Sequence, residues 1–120
     1  MDKIFLSGME FFGFHGVFPE ENKLGQKFFV DLILELPLKD AGLHDNIENS
    51  VDYGEAYMVT RSIVEGKPRK LLEAVAEDVC DKLLTEFKRL KAVTVKISKP
   101  GAPIKGYFDT VGIEIRRERS

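Results

Sequence analysis

Glu73 and Lys99 are charged residues at positions where the pattern calls for apolar ones. Around Glu73 the chain reads K-P-R-K-L-L-E-A-V-A-E-D-V-C-D-K-L-L-T-E-F, residues 67–87. Leu72, Val75, Ala76, Val79, Cys80, Leu83, Leu84 and Phe87 recur at steps of three and four, so they share one helix face. At about 100° per residue, Glu73 falls inside that apolar arc. Lys99 ends the run V-T-V-K-I-S-K, in which Val93, Val95 and Ile97 take one face. Period two puts Lys99 on that same face. Both charges sit beside loops, Pro68 to Lys70 and Pro100 to Pro103. Polar groups at the rim of a core, next to irregular backbone, are where small-molecule sites are commonly built.

Such groups have definite chemistry. A carboxylate can accept two parallel N–H bonds from a planar amidine-like edge, as in an aminopyrimidine. A partly desolvated lysine can form a Schiff base, move protons or polarise an acceptor through water. Tyr53, just after Asp52 at the mouth of a helix, could stack on a flat ring or shuttle a proton. The structural alternative is plain. Glu in a first helical turn suits the macrodipole, Lys at a strand end can reach solvent, and the two could pair as an ion bridge. Glu86 also falls near the apolar arc, where a fraying last turn explains it.

The elements that must position these residues follow from periodicity. Residues 2–14 alternate as a strand, with Ile4 and Leu6 on one side and Phe5, Met9 and Phe11 on the other. Residues 17–25 read as a loop, and 26–37 as a second strand. Residues 38–50 are polar and irregular. A first helix begins near Tyr53 and stops at Gly66-Lys67-Pro68, and a second runs from about Lys70 to Phe87. Two strands close the chain, 92–99 and 107–117. The order β-β-α-α-β-β with short connections predicts a four-stranded antiparallel sheet with both helices on one face. Apolar residues on the second face (Phe5, Met9, Phe11, Phe29, Ile33) and open sheet edges point to self-association.

The totals set the class. With 120 residues, 43% of them hydrophobic and 32% charged, the chain reads as one globular domain, residues 1–120. A net charge of −2 gives no case for nucleic acid or a membrane surface. No apolar run approaches about 18 residues, as a membrane span requires. MDKIFLSGMEF lacks the flank and core of a signal peptide, so a cytoplasmic location is expected. The single cysteine, Cys80, reads as a small core residue. His15 reads as a turn or packing histidine and His44 as a solvated one. No H-x-H or C-x-x-C spacing suggests zinc, and no nucleotide-binding loop or G-x-S-x-G elbow is present.

Five segments in register carry a family resemblance: G-M-E-F-F-G-F-H-G-V (8–17), E-E-N-x-x-G-Q (20–26), V-D-Y-G-E (51–55), L-L-E-x-x-A-E (71–77) and K-P-x-x-P-I-x-G (99–106). Together they resemble the bacterial dihydroneopterin aldolases of folate synthesis. That resemblance implies the α+β ββααββ tunnelling fold, with sheets joined between subunits into a barrel. It implies rings of four subunits, commonly stacked into an octamer. It implies cleavage of 7,8-dihydroneopterin without metal, Schiff base or cofactor. Residue by residue, Glu73 matches the glutamate that anchors the pterin's aminopyrimidine edge, helped by main chain near Leu72. Lys99 matches the catalytic lysine. Tyr53 matches the tyrosine lying over the pterin from a neighbouring subunit, along with backbone at Val51 and Asp52. Glu21 matches the glutamate near the hydroxylated side chain. The family's P-P-I-P-G loop reads A-P-I-K-G here, with Ala102 and Lys105. Two other readings stay open: an epimerase of dihydroneopterin triphosphate using Lys67, Arg69, Lys70 and Lys105, and a non-catalytic ligand-binding or oligomerisation module.

Overall fold

The computed structural model describes residues 1–120. Strict alternation makes the second strand, β2 (Gln26–Leu36), the centre of the core. Phe28, Val30, Leu32, Leu34 and Leu36 turn to one side and are essentially inaccessible to solvent. The first strand, β1 (Asp2–Gly13), pairs antiparallel with it, and β3 (Ala92–Lys99) and β4 (Val111–Glu118) complete an antiparallel sheet of order β1-β2-β3-β4. Val93, Val95 and Ile97 of β3 continue the buried row, as their period predicts.

In β1 the structure corrects the sequence reading. Leu6 pairs with Leu32 but Met9 pairs with Val30, so β1 carries one extra residue there. This bulge reverses the alternation. Ile4 and Leu6 before it, and Met9 and Phe11 after it, all pack on the core. Met9 and Phe11 therefore do not belong to the second face. Gly8 forms the bulge with φ +68°, and its N–H donates to Asp31 Oδ1 at 2.5 Å. The second face keeps Phe5, 71% exposed, and the half-buried Phe29 and Ile33. Charged side chains surround them. Glu35 receives a two-pronged hydrogen bond from Arg116, Nε to Oε2 at 2.8 Å and Nη2 to Oε1 at 3.2 Å. That bond holds the Glu35 carboxyl below its ordinary range, against the opposing effect of burial.

Two long helices cover the other face. The first begins where Asp52 accepts a hydrogen bond from Gly54 N at 2.8 Å and runs Tyr53–Val64. The second runs Leu72–Glu86 and lays Val75, Ala76, Val79, Cys80 and Leu83 on the sheet. Cys80 is buried as expected, and burial pushes its thiol up to about 11. Glu86 is the last helical residue and pairs with Lys82 at 3.1 Å.

Three other boundaries depart from the sequence reading. The supposed loop 17–25 contains a short helix, Pro19–Leu24; Pro in the first turn, Glu20 and Glu21 beside it, and Gly25 at φ +72° after it are sufficient signals for six residues. The polar stretch 38–50 holds another short helix, Lys39–His44, and a 3-10 turn, Ile47–Asn49. In chain order the helices are thus α1 (Pro19–Leu24), α2 (Lys39–His44), α3 (Tyr53–Val64) and α4 (Leu72–Glu86). The last strand starts at Val111 rather than 107, because 100–110 is an irregular loop ending the approach to Gly112.

Gly8→Ala tests the bulge. A methyl group there meets nothing within 4 Å, so only the left-handed backbone resists it. The variant should lose about 1–2 kcal/mol in urea unfolding. A loss under about 0.3 kcal/mol would show that the bulge does not need glycine.

Candidate active site

Period two along β3 brings Lys99 to the core-facing end of the strand, where its side chain is only 13% exposed. A buried ammonium needs a counter-charge. Glu21 supplies it. Lys99 Nζ donates to Glu21 Oε2 at 2.5 Å, and the Glu21 side chain is 7% exposed. The same oxygen accepts from Gln26 Nε2 at 2.8 Å, and Oε1 accepts from Phe18 N at 3.3 Å. Burial alone would raise the Glu21 pKa. The bonds from Lys99, Gln26 and Phe18 outweigh it and hold the carboxyl below its ordinary range. The ion bridge weighed from sequence, Glu73 to Lys99, is therefore not formed: Lys99 pairs with Glu21.

The pair opens on a cavity of about 300 Å³. Val17, Phe18, Leu71, Leu72, Ile104 and Ile113 give it apolar walls, and Glu21, Lys70, Glu73 and Lys99 give it charge. Glu73 lies in the first turn of α4, yet it is exposed, not buried in the helix–sheet interface. Its apolar arc ends at the cavity rather than at packed side chains. Glu73 makes no hydrogen bond or ion pair within the chain, so its carboxylate is available to a ligand. No side chain caps α4. Leu71 O accepts from Ala74 N at 3.1 Å, which leaves the N–H groups of Leu72 and Glu73 without an acceptor beside the cavity.

The structure does not bring Tyr53, Val51 or Asp52 to this cavity. Tyr53 is the first residue of α3 and is 65% exposed. Val51 is packed in the core, and the Asp52 carboxylate serves as the cap of α3. His15 is structural in its contacts. It is 1% exposed, edge-on to Phe28 at 5.3 Å, and bonded through both ring nitrogens. Burial lowers its pKa most; the Val64 carbonyl opposes this, and the positive Arg69 and Lys99 add to it. His44 lies exposed in the last turn of α2.

Two residues of the site carry no role in the sequence reading. Gln26 steadies Glu21, and period two places it on the same row as Phe28 and Val30, the rule that singled out Lys99. Its Oε1 is buried without a partner, and a Cβ at Gly101 would stand 3.0 Å from it. Gly16, at φ +153°, lies against the Glu21 carboxyl so closely that a Cβ would collide with it. No group of three or more His, Cys, Asp or Glu side chains is arranged to hold a metal ion.

Comparison with known proteins identifies the family. Residues 4–116 match the family described as FolB, dihydroneopterin aldolase. The dihydroneopterin aldolase of Bacillus subtilis (strain 168) is 50% identical over 120 residues, the full length of both chains. Dihydroneopterin aldolase 1 of Arabidopsis thaliana is 46% identical, over 99% of this chain and 82% of its own. The crystal structure of E. coli dihydroneopterin aldolase in complex with neopterin superposes with a TM-score of 0.88 at 31% identity, over 98% of this chain and 99% of that one. A four-stranded antiparallel sheet, two long helices on one face and a match over nearly the whole length together place the chain in the dihydroneopterin aldolase family.

Proposed function

We propose that the Glu21–Lys99 cavity binds 7,8-dihydroneopterin and cleaves it to 6-hydroxymethyl-7,8-dihydropterin and glycolaldehyde. The lyase activity is that of the family to which the chain belongs. The observation that carries the site assignment is the buried pair Glu21–Lys99 at the floor of a cavity whose rim holds an unpaired Glu73 and the uncapped end of α4. A pterin fits that rim in chemistry. Its aminopyrimidine edge presents parallel N–H donors to Glu73, and its ring acceptors can take the N–H groups of Leu72 and Glu73. Neopterin is the ligand of the E. coli relative.

Cleavage breaks the bond between C1′ and C2′. The 2′-hydroxyl loses its proton and becomes the carbonyl of glycolaldehyde. The bond electrons pass through C6 to N5, which takes up a proton, and the resulting enol is reprotonated at C1′ as N5 gives its proton up, which restores the C=N bond. The substrate's own C=N is the electron sink, so neither a Schiff base nor a metal is required. Lys99, paired and positioned, is the donor toward N5 and, through an ordered water, serves the base step. Glu21 orients the diol. Tyr53 of a neighbouring subunit relays the proton to carbon. Glycolaldehyde re-adding through its other face would give the C2′ epimer as a side product.

The same reading makes the protein a homo-oligomer with sites between subunits, rings of four that stack as an octamer. Tyr53 sits away from this chain's own cavity, and β1 and β4 are both open edges. Triphosphate recognition is less well supported, because Arg69 of the proposed basic mouth is already paired with Asp78.

Anaerobic incubation with 7,8-dihydroneopterin and excess chelator, followed by oxidation and fluorescence-detected chromatography, should give 6-hydroxymethylpterin. In that assay Lys99→Ala should lose at least about a hundredfold in kcat and keep neopterin affinity, whereas Glu73→Ala should lose binding first. Normal turnover by Lys99→Ala sinks the mechanism. Lys99→Ala and Tyr53→Ala chains refolded together should recover up to about a quarter of wild-type activity, since random pairing restores that share of intact shared sites; no recovery means that both residues act within one subunit.

Stability should report the Glu21 pair directly. Its folded pKa lies below its unfolded one, so its contribution is full above the ordinary carboxylate range near 4.5 and is lost as pH falls through the depressed value. Glu21→Gln should therefore be less stable at pH 7, by about 2 kcal/mol, and the difference should shrink as pH falls below about 4. A difference independent of pH would mean that the charge of Glu21 is irrelevant to folding.

A further inference from the structure

His15 is a fully buried titratable side chain that the proposed chemistry leaves without a task, and its two bonds run to different segments. Arg69 N donates to Nδ1 at 2.9 Å, so Nδ1 carries no proton. The proton is then on Nε2, which donates to Val64 O at 2.6 Å. The next residue adds a third bond in the same direction: Gly16 N donates to Arg69 O at 2.9 Å. His15 and Gly16 together thus clip the end of β1 to the α3–α4 connection.

Each end of the clip leads directly to one wall of the cavity. On one side Gly16 lies against the Glu21 carboxyl, and Asn22 Nδ2 holds Phe14 O at 2.9 Å and Gly16 O at 3.0 Å, which seats α1 on the same turn. On the other side Arg69 is three residues from Leu72, where the uncapped turn of α4 and Glu73 begin. Strand pairing does not join these walls, because α1 and the α3–α4 connection belong to no ladder. We infer that His15 is a positioning residue that sets the Glu21–Lys99 pair in register with the pterin-binding turn of α4. This rests on the reading of the cavity given above. An imidazole suits the task because the bond from Nε2 to Val64 O orients the ring and leaves Nδ1 free of a proton, ready to accept from Arg69 N.

Two substitutions separate positioning from filling space. Asn can place its oxygen where Nδ1 lies and keep the bond from Arg69; Gln can reach the position of Nε2 and keep the bond to Val64, but leaves the Arg69 N–H without its acceptor. Both remove the aromatic packing on Phe28. Steady-state kinetics with 7,8-dihydroneopterin at a temperature where circular dichroism shows both variants folded should give His15→Asn a kcat within about threefold of wild type, and His15→Gln a kcat at least about tenfold lower, with similar losses in Tm. Equal kcat in the two variants would make His15 a packing residue only and overturn the inference. Amide hydrogen exchange decides the clip without turnover: exchange at Arg69 and Gly16 should accelerate in His15→Gln and not in His15→Asn. Unchanged exchange in His15→Gln overturns the clip even if the protein is active. A wild-type chain that leaves dihydroneopterin intact overturns the aldolase reading instead, and the exchange result still stands on its own.

Discussion

Burying the ammonium of Lys99 is the constraint on which the local architecture depends. The strand that carries it puts Val93, Val95 and Ile97 into the core, and nothing in that alternation can turn Lys99 away. A charge so placed must be paired or it will destabilise the fold. Its partner comes from a six-residue helix too short to persist alone. The helix in turn needs a backbone turn at Gly16 that leaves room for the carboxylate, and a second donor, Gln26, to hold the carboxylate still. The floor of the cavity is thus a chain of requirements that starts from one lysine.

The rim follows the opposite rule. Glu73 has no partner in the chain, and the first turn of α4 has no side-chain cap. A fold selected for stability alone would fill both needs, since a capped helix is about 1 kcal/mol more stable. Unsatisfied groups of complementary sign around apolar walls are instead what a flat, polar-edged ring would satisfy. The floor is closed and electrostatically paired, and the rim is open and unpaired. That contrast distinguishes groups that act on a substrate from groups that hold it.

The sheet's two faces divide the work as well. The helix-covered face is apolar except toward its ends, where Gln26 and Lys99 lie, and it is aided by the bulge at Gly8, which returns Met9 and Phe11 to the core after one extra residue. The other face mixes Phe5, Phe29 and Ile33 with paired charges such as Glu35–Arg116. A mixed surface of this kind suits association that keeps water nearby better than it suits a dry interface.

Much of this was legible in the sequence. Periodicity alone determined the two long helices, the antiparallel strands, the buried Cys80 and the inward position of Lys99, because those features depend only on which residues share a face. The short helices α1 and α2 leave no periodic signal, since six residues give too few repeats for a period to register. The bulge leaves no signal either, because a single glycine in a strand does not announce a change of phase. Who pairs with Lys99 could not be read at all. Glu21 lies 78 residues away in sequence, and Glu73 was as good a candidate by type and face. Periodicity is enough to show which charges are stranded at the edge of the core. Their partners come from the fold, because pairing depends on which segments the sheet brings to the same end, and that is set by register and topology rather than by the spacing of residues along the chain.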